Sequence, residues 1–547
     1  VSSSNLIKLY ARRASPGRVP SPLDLLKGAV ADHGELHAGD LRAAAAATGL
    51  PEAALYGTAS FYDELAPGDA ARTLRVCSGT ACWAAGGSEQ RLLLEARAAE
   101  AGSPAAPLGE VCCLGYCHAA PAYRSGGLVD AGPGACERLL AGAARPAPGP
   151  LSRSLLAEPV LLRPGDFSGL RRVLGRVSPE RFVELVAAAG LRGRGGAGFP
   201  TARKWQLARA APGSERFLVV NGDEGDPGSY IDKYLMEQNP NLLLEGAALA
   251  AFATGAAQAL IYVRSEYPQA TRTLTAAVAA ASGEGLLGPN ILGSGFSLEV
   301  TVVEGAGSYV VGEETALIAS LHGLRGTVAA RPPYPAERGY LGQPTVVNNV
   351  ETLCNLPFIA SHGAEAFIAL SPGASPGSKL VCLNSLFERP GLYELPLGTS
   401  LAEVCLELGG GLRGGSALKA VQIGGPLGGL LPADRLDVPL DFAPLAELGC
   451  MLGHGSIVGF SAGTDMRALA LHLLEFGARE SCGKCFPCRV GLRRAYELVA
   501  RPGPLERGLF EELLETLELA SLCGHGSGMP APLRSLLSHF PDEFGAG

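Results

Sequence analysis

Three thiols stand at C-x2-C-x2-C spacing in Cys482-Gly-Lys-Cys485-Phe-Pro-Cys488. A turn of that spacing presents three sulfurs to one cubane, and Gly483 relieves the crowding between them. The fourth ligand must come from elsewhere. Cys523, in Leu522-Cys523-Gly524-His525-Gly526 beyond an intervening helix, is the candidate that completes a 4Fe-4S site. A second set pairs Cys77 and Cys82 (C-x4-C) with Cys113 and Cys117 (C-x3-C) across a helix-length segment. Four thiolates on two loops can hold a 2Fe-2S cluster, two to each iron. Structural zinc also accepts four thiolates and is the competing occupant of both sets, although zinc ribbons usually show two CxxC pairs. Cys112, beside Cys113, and the remaining Cys136, Cys354, Cys382, Cys405 and Cys450 read as small core residues.

Four loops could receive a ligand. Leu191-Arg-Gly193-Arg-Gly195-Gly196-Ala-Gly198-Phe199 places four glycines between cations, with Lys204 close behind. Bare backbone amides there can approach a flat ring or a phosphate, although a flexible loop would look the same. The apolar run Phe217 to Val220 opens into Asn221-Gly-Asp223-Glu224-Gly-Asp226-Pro-Gly228, an acidic loop at a strand's carboxyl end, where layered α/β domains bind ligands. Asn221 and Asp223 suit ribityl hydroxyls; a solvated turn or calcium loop is the alternative. Gly305-Ala-Gly-Ser-Tyr309-Val-Val-Gly312-Glu313-Glu314 again follows a strand and ends in acids opening a helix, which is also common dipole chemistry. Pro344-Thr-Val-Val-Asn348-Asn349 adds paired amides.

These loops need several cores behind them, because 547 residues exceed what one core organises. Apolar residues at 47% and charged residues at 18% describe a packed globular protein. A formal charge of -8 with no basic stripe excludes general nucleic-acid affinity. No secretory pattern opens the sequence, so a cytoplasmic location is expected, and fourteen cysteines then read as metal or redox ligands rather than disulfides. The uncharged stretch 246–263 is rich in Ala and Gly and reads as a buried helix running into the strand Ala259 to Val263, not as a membrane span. The expected order is a helical segment at 1–70, a compact 2Fe-2S unit at 71–140, a Pro/Gly linker at 141–165, an α/β domain at 166–370, a β-grasp-like module at 371–445 and a helical 4Fe-4S bundle at 446–547.

Taken in order, these elements resemble the NADH-binding flavoprotein subunit of respiratory complex I and its relatives in NAD-linked formate dehydrogenases and hydrogenases. The residues around Cys77 to Cys117, preceded by Leu55-Tyr-Gly-Thr-Ala-Ser-Phe-Tyr62, resemble the thioredoxin-like 2Fe-2S subunit of the same machinery, here fused to it as in diaphorase subunits. The resemblance implies a thioredoxin-like 2Fe-2S domain, a Rossmann-like FMN domain, an SLBB-like β-grasp module and a 4Fe-4S helical bundle. It implies FMN contacts at Gly193, Gly195, Gly196, Lys204, Asn221, Asp223, Tyr309, Gly312, Glu313, Asn348 and Asn349. It places NAD(H) near Phe199, Arg331 and Tyr334, with Glu314 and Asp226 as the working carboxylates. Two departures leave NAD against NADP open: Asp226 stands where these flavoproteins usually carry Glu, and Arg331 replaces a Lys. The implied partner carries further clusters. The stretches Pro439-Leu-Asp-Phe442 and Gly449-Cys-Met-Leu-Gly453 resemble formate enzymes, so a molybdenum or tungsten formate dehydrogenase subunit is expected ahead of hydrogenase subunits. The rival from another class is a zinc-stabilised scaffold that binds no cofactor.

Overall fold

The computed structural model describes residues 21–65, 74–100 and 108–545; the expectations for 1–20, 66–73 and 101–107 lie outside the described residues. The first sheet has the order β2-β1-β3-β4, built from β1 (Leu74–Cys77), β2 (Gly109–Val111), β3 (Ala122–Ser125) and β4 (Leu128–Ala131). β1 and β2 are parallel and the rest antiparallel, so the carboxyl ends of β1 and β2 deliver both cysteine loops to one edge.

The expected linker is not wholly a linker. Its strand β5 (Leu151–Ser154) pairs in parallel with a strand of the third sheet, because the 151–154 backbone finds donors and acceptors along an otherwise open edge.

The largest domain carries β6 (Phe217–Gly222), β7 (Gln258–Val263), β8 (Glu299–Glu304) and β9 (Thr345–Asn349) in the order β8-β7-β6-β9, all parallel. The chain builds outward from β6 to β7 and β8, then returns to β9 on the other side of β6. This doubly wound layout leaves a crevice between the carboxyl ends of β6 and β9. Both faces of β6 and β7 are covered, which is why these strands read as apolar runs, whereas the edge strand β8 is partly exposed. Leu218 and Val220 point into a core with the helices Pro240–Thr254 and Thr201–Ala210. Val219, between them, points into a second core with Leu23, Leu26, Leu55 and Tyr62. The lead-in helices Pro22–His33, Ala38–Thr48 and Glu52–Ala59 are therefore the second covering layer of this sheet rather than a separate segment.

The third sheet has six strands, β13-β12-β14-β10-β11-β5, from β10 (Ser378–Leu383), β11 (Gly391–Pro396), β12 (Leu418–Ile423), β13 (Leu430–Pro432) and β14 (Ser456–Ser461). β14 lies inside this sheet, between β12 and β10, although the expected helical 4Fe-4S bundle was bounded at 446–547. Helices begin at Met466 and enclose their own core of Leu469, Leu473, Leu492, Leu498, Phe510 and Leu536. No described helix is long and apolar enough to cross a membrane.

Candidate functional site

The crevice between β6 and β9 gathers all four expected loops. Gly193 N–H donates to the Phe199 carbonyl (2.9 Å) and Gly196 bridges to Gly453, so the glycine loop is a defined turn and not a free coil. Gly196 has φ 125°, a conformation that favours glycine, and a Cβ built on it would meet no atom within 4 Å. Gly195 packs against the next loop, since a Cβ there would lie 2.9 Å from Asn349 Cβ. Asn221 donates through Nδ2 to the Gly312 carbonyl (2.8 Å) and accepts from Asp223 N (3.1 Å), joining the second and third loops. Asp223 Oδ2 is buried without a partner. A side chain at Gly312 would stand 3.7 Å from that oxygen, so glycine leaves it reachable. Burial pushes the Asp223 carboxyl well above the usual range, partly opposed by Arg264.

The cations and acids form one constellation. Glu313 caps the helix Glu314–Leu321 by accepting from Thr315 N and Ala316 N. Glu314 stands between Lys204 (3.4 Å) and Arg331 (2.8 Å), and Arg331 also pairs with Glu313 at 3.1 Å. Lys204 donates in addition to the Val347 carbonyl at 3.0 Å. Phe199 and Tyr334 are exposed, 40% and 52%, which leaves two aromatic faces open to a planar ligand. Asp226 is not beside Glu314's cations: it accepts from Tyr309 Oη at 2.8 Å, and burial raises its carboxyl. Tyr309 turns towards the C-terminal bundle, its N–H on Glu480 (3.0 Å) and its ring against Phe476 and His525.

Asn348 and Asn349 are committed inside the protein. Asn348 Oδ1 accepts from Trp205 Nε1 (2.9 Å). Asn349 Oδ1 caps the helix Val350–Cys354 by accepting from Thr352 N (3.0 Å), while its Nδ2 donates to Asp232 (2.6 Å). Trp205, Asp232, Arg264 and His454 were not legible as site residues. Each acts through a partner remote in sequence.

Both cysteine sets converge. Cys113 and Cys117 sulfurs lie 3.6 Å apart, and Cys77 and Cys82 thiols hydrogen-bond to each other. That bond brings the Cys77 thiol down to about 7, while Cys82 and Cys117 are raised by sharing protons with their neighbours and by burial. In the second set Cys488 is pushed up to about 12, chiefly by burial, with Cys485, Cys523 and Cys482 also facing it. Four thiolates brought together repel one another unless a cation stands among them, as a cluster's iron supplies. The remaining cysteines are buried in the cores. The two-iron loops press directly on the acidic loop: Arg264 donates to the carbonyls of Cys112 (2.9 Å) and Glu224 and pairs with Glu266.

Comparison with known proteins agrees with this geometry. A family model described as the Nuo51 FMN-binding domain matches residues 186–358. The NADH-ubiquinone oxidoreductase-F iron-sulfur binding region matches 468–547, and the thioredoxin-like [2Fe-2S] ferredoxin matches 10–127. An NADH-quinone oxidoreductase subunit of Rhizobium meliloti is 43% identical over 70% of this chain and 91% of its own length. The NADP-reducing hydrogenase subunit HndC of Solidesulfovibrio fructosivorans is 42% identical over 70% of this chain and 78% of its own. A solved NAD+-reducing [NiFe]-hydrogenase chain superposes with TM-score 0.83 at 33% identity over 97% of this chain and 94% of that one. The cofactor complement of the present chain is FMN, NAD(H), one 4Fe-4S and one 2Fe-2S cluster. The chain thus belongs to the Nuo51 family of NADH-quinone oxidoreductase flavoproteins, NAD-dependent flavin and iron-sulfur oxidoreductases, with a thioredoxin-like [2Fe-2S] unit fused ahead of it.

Proposed function

We propose that the chain is the diaphorase subunit of an NAD+-reducing complex whose partner is a hydrogenase. The observation that carries this reading is that a solved NAD+-reducing [NiFe]-hydrogenase chain covers 97% of this one, a share that includes the fused 2Fe-2S unit, whereas the NADH-quinone oxidoreductase subunit and the hydrogenase subunit HndC each match 70%. A formate-oxidising partner is the second reading, resting on the 439–442 and 449–453 stretches. Phe442 lies under Arg192 at 4.1 Å, so that stretch supports the glycine loop whatever the partner is.

FMN, when bound, supplies the conversion between two-electron and one-electron chemistry. The residues present suit it: an unobstructed Gly196 backbone, a reachable Asp223 oxygen and cations at Lys204 and Arg331. Gly193, Gly195, Gly196, Asn221, Asp223 and Gly312 form the cradle, and Asn348 and Asn349 hold its floor. Glu314 presents one carboxylate at the nucleotide side and is oriented by two cations. Phe199 and Tyr334 flank the opening. Arg331 is engaged by two carboxylates, whose negative charge beside it opposes a 2′-phosphate, so NAD(H) is favoured over NADP(H). Cys482, Cys485, Cys488 and Cys523 hold the four-iron cluster; Cys77, Cys82, Cys113 and Cys117 hold the two-iron cluster. Cys485 and Cys523 are only half-buried, whereas the two-iron cysteines are all buried. Electrons therefore leave by the four-iron edge.

The test is purification of the intact complex under native conditions. Hydrogen-driven NAD+ reduction with nickel present supports the proposal. Formate-driven reduction with molybdenum or tungsten and no nickel selects the second reading, and a quinone-reducing assembly overturns both.

A further inference from the structure

One buried cluster has no part in the reading above. His454, at the turn before β14, is 4% exposed and lies between two buried carboxylates, with Nε2 2.9 Å from Asp232 and Nδ1 3.6 Å from Glu224. Three ligand-type side chains so close could suggest a metal, but their lone pairs are already in use. Glu224 Oε1 accepts from Ser229 Oγ (2.6 Å), Ile231 N (2.6 Å) and Asp232 N (3.1 Å), and Oε2 accepts from Lys233 N (2.9 Å). Asp232 accepts from Asn349 Nδ2 (2.6 Å) and Glu351 N (3.1 Å). Such carboxylates behave as caps and struts, not as vacant ligands.

The cluster joins the segments that form the flavin cradle. Glu224 caps the helix Ile231–Gln238 and so closes the acidic loop. Asp232 grips Asn349, whose Cβ abuts Gly195, and Gly453, next to His454, bridges to Gly196. His454 thus sits between the acidic loop, the end of β9 and the glycine loop. One carboxylate at hydrogen-bond distance from the imidazole and a second just beyond it favour the protonated ring. Glu224 and Asp232 face the imidazole with Asp226 nearby, while Glu351 is paired with Lys379, the lysine that also donates to the His454 carbonyl (3.0 Å). Burial alone would lower His454, yet Asp232 and then Glu224 hold it up at about 9.

We propose that His454 is a positioning residue: a buried imidazolium that locks Asn349, the acidic loop and the glycine loop into the shape that binds FMN. The inference rests on reading those loops as the flavin cradle, which FMN stoichiometry in the wild-type protein tests separately. In 15N-histidine-labelled wild-type protein, the ring that disappears in His454→Gln should show both nitrogens protonated up to pH 8. A neutral ring at pH 7 overturns the proposal, and His454→Asn supplies the assignment where His454→Gln does not fold. In the folded His454→Gln protein, FMN affinity measured by fluorescence quenching of the flavin-free form should fall about tenfold. The electron paramagnetic resonance signals of both clusters should not change. Affinity within twofold of wild type overturns the proposal, and so does a divalent metal, other than iron, bound at one per chain and lost in the variant. Wild-type protein that binds no FMN overturns the cradle reading instead.

Discussion

Glu314 shows how one carboxylate acquires a role from its neighbours. Its two oxygens are held by different cations, Lys204 and Arg331, on elements far apart in sequence. This pairing is separate from the bond between Asn221 and Gly312, and a Gln there keeps an amide oxygen for Lys204, so removing the charge should touch nucleotide handling and spare the flavin. Glu314→Gln is expected to slow NADH-dependent dye reduction about tenfold, of the order of 1.4 kcal/mol in the barrier, with FMN content unchanged. Unaltered turnover would remove Glu314 from the nucleotide side. The cysteine ligand sets were legible at this scale because coordination chemistry demands fixed residue types at short spacing. Trp205 and His454 were not, since an indole holding Asn348 and an imidazole holding Asp232 leave no trace in local spacing.

Among the elements, the helix Pro240–Thr254 does more than cover the sheet. Gly246 lets it touch the helix Val350–Cys354 so closely that a Cβ would overlap the Leu353 carbonyl. That second helix starts at Asn349, so any displacement is passed to the cradle floor. Gly246→Ala is expected to destabilise the domain by about 2 kcal/mol through overpacking, and to lower FMN retention at the same time. Denaturant midpoints and flavin content per chain check both. Parallel strands with two buried faces, β6 and β7, were legible as apolar runs, and so the α/β layering could be anticipated. The partner of each face could not. Val219 needs a second layer, but only the packed chain shows that Leu23, Leu26 and Tyr62 provide it.

For the whole molecule, the decisive contacts are those between modules. The 2Fe-2S unit rests on the bundle helix Met466–Arg479 through His472, which stacks on Trp83 (5.0 Å) and meets Thr80 Oγ1 at 3.3 Å. Burial lowers His472 to about 4. Its folded value lies below the ordinary 6.5, so the docking contributes fully above pH 6.5 and is lost as pH falls towards 4. Melting followed at the two-iron absorption should show this acid loss, and His472→Phe should flatten it. The four-iron edge is the face expected to meet the partner. Phe486 is 71% exposed beside Cys485, and Val490 and Leu522 are exposed close to Cys488 and Cys523. Phe486→Glu is expected to cut partner-coupled NAD+ reduction at least about tenfold while NADH-to-dye activity stays within about twofold. Equal loss of both would place Phe486 in the cluster fold and not at the interface.

Sequence alone marked the eight cysteines as candidate ligands, with structural zinc still a competing occupant, and it marked the four ligand loops and the α/β layering, because each follows from short-range spacing or strand-length hydrophobic pattern. Tertiary structure decided the rest: the lead-in helices as the second layer, β5 and β14 as members of the third sheet, Asp226 turned to Tyr309, and His454 between Glu224 and Asp232. Those relations join residues from distant parts of the chain, and their energy comes from burial and charge pairing that exist only once the cores have closed.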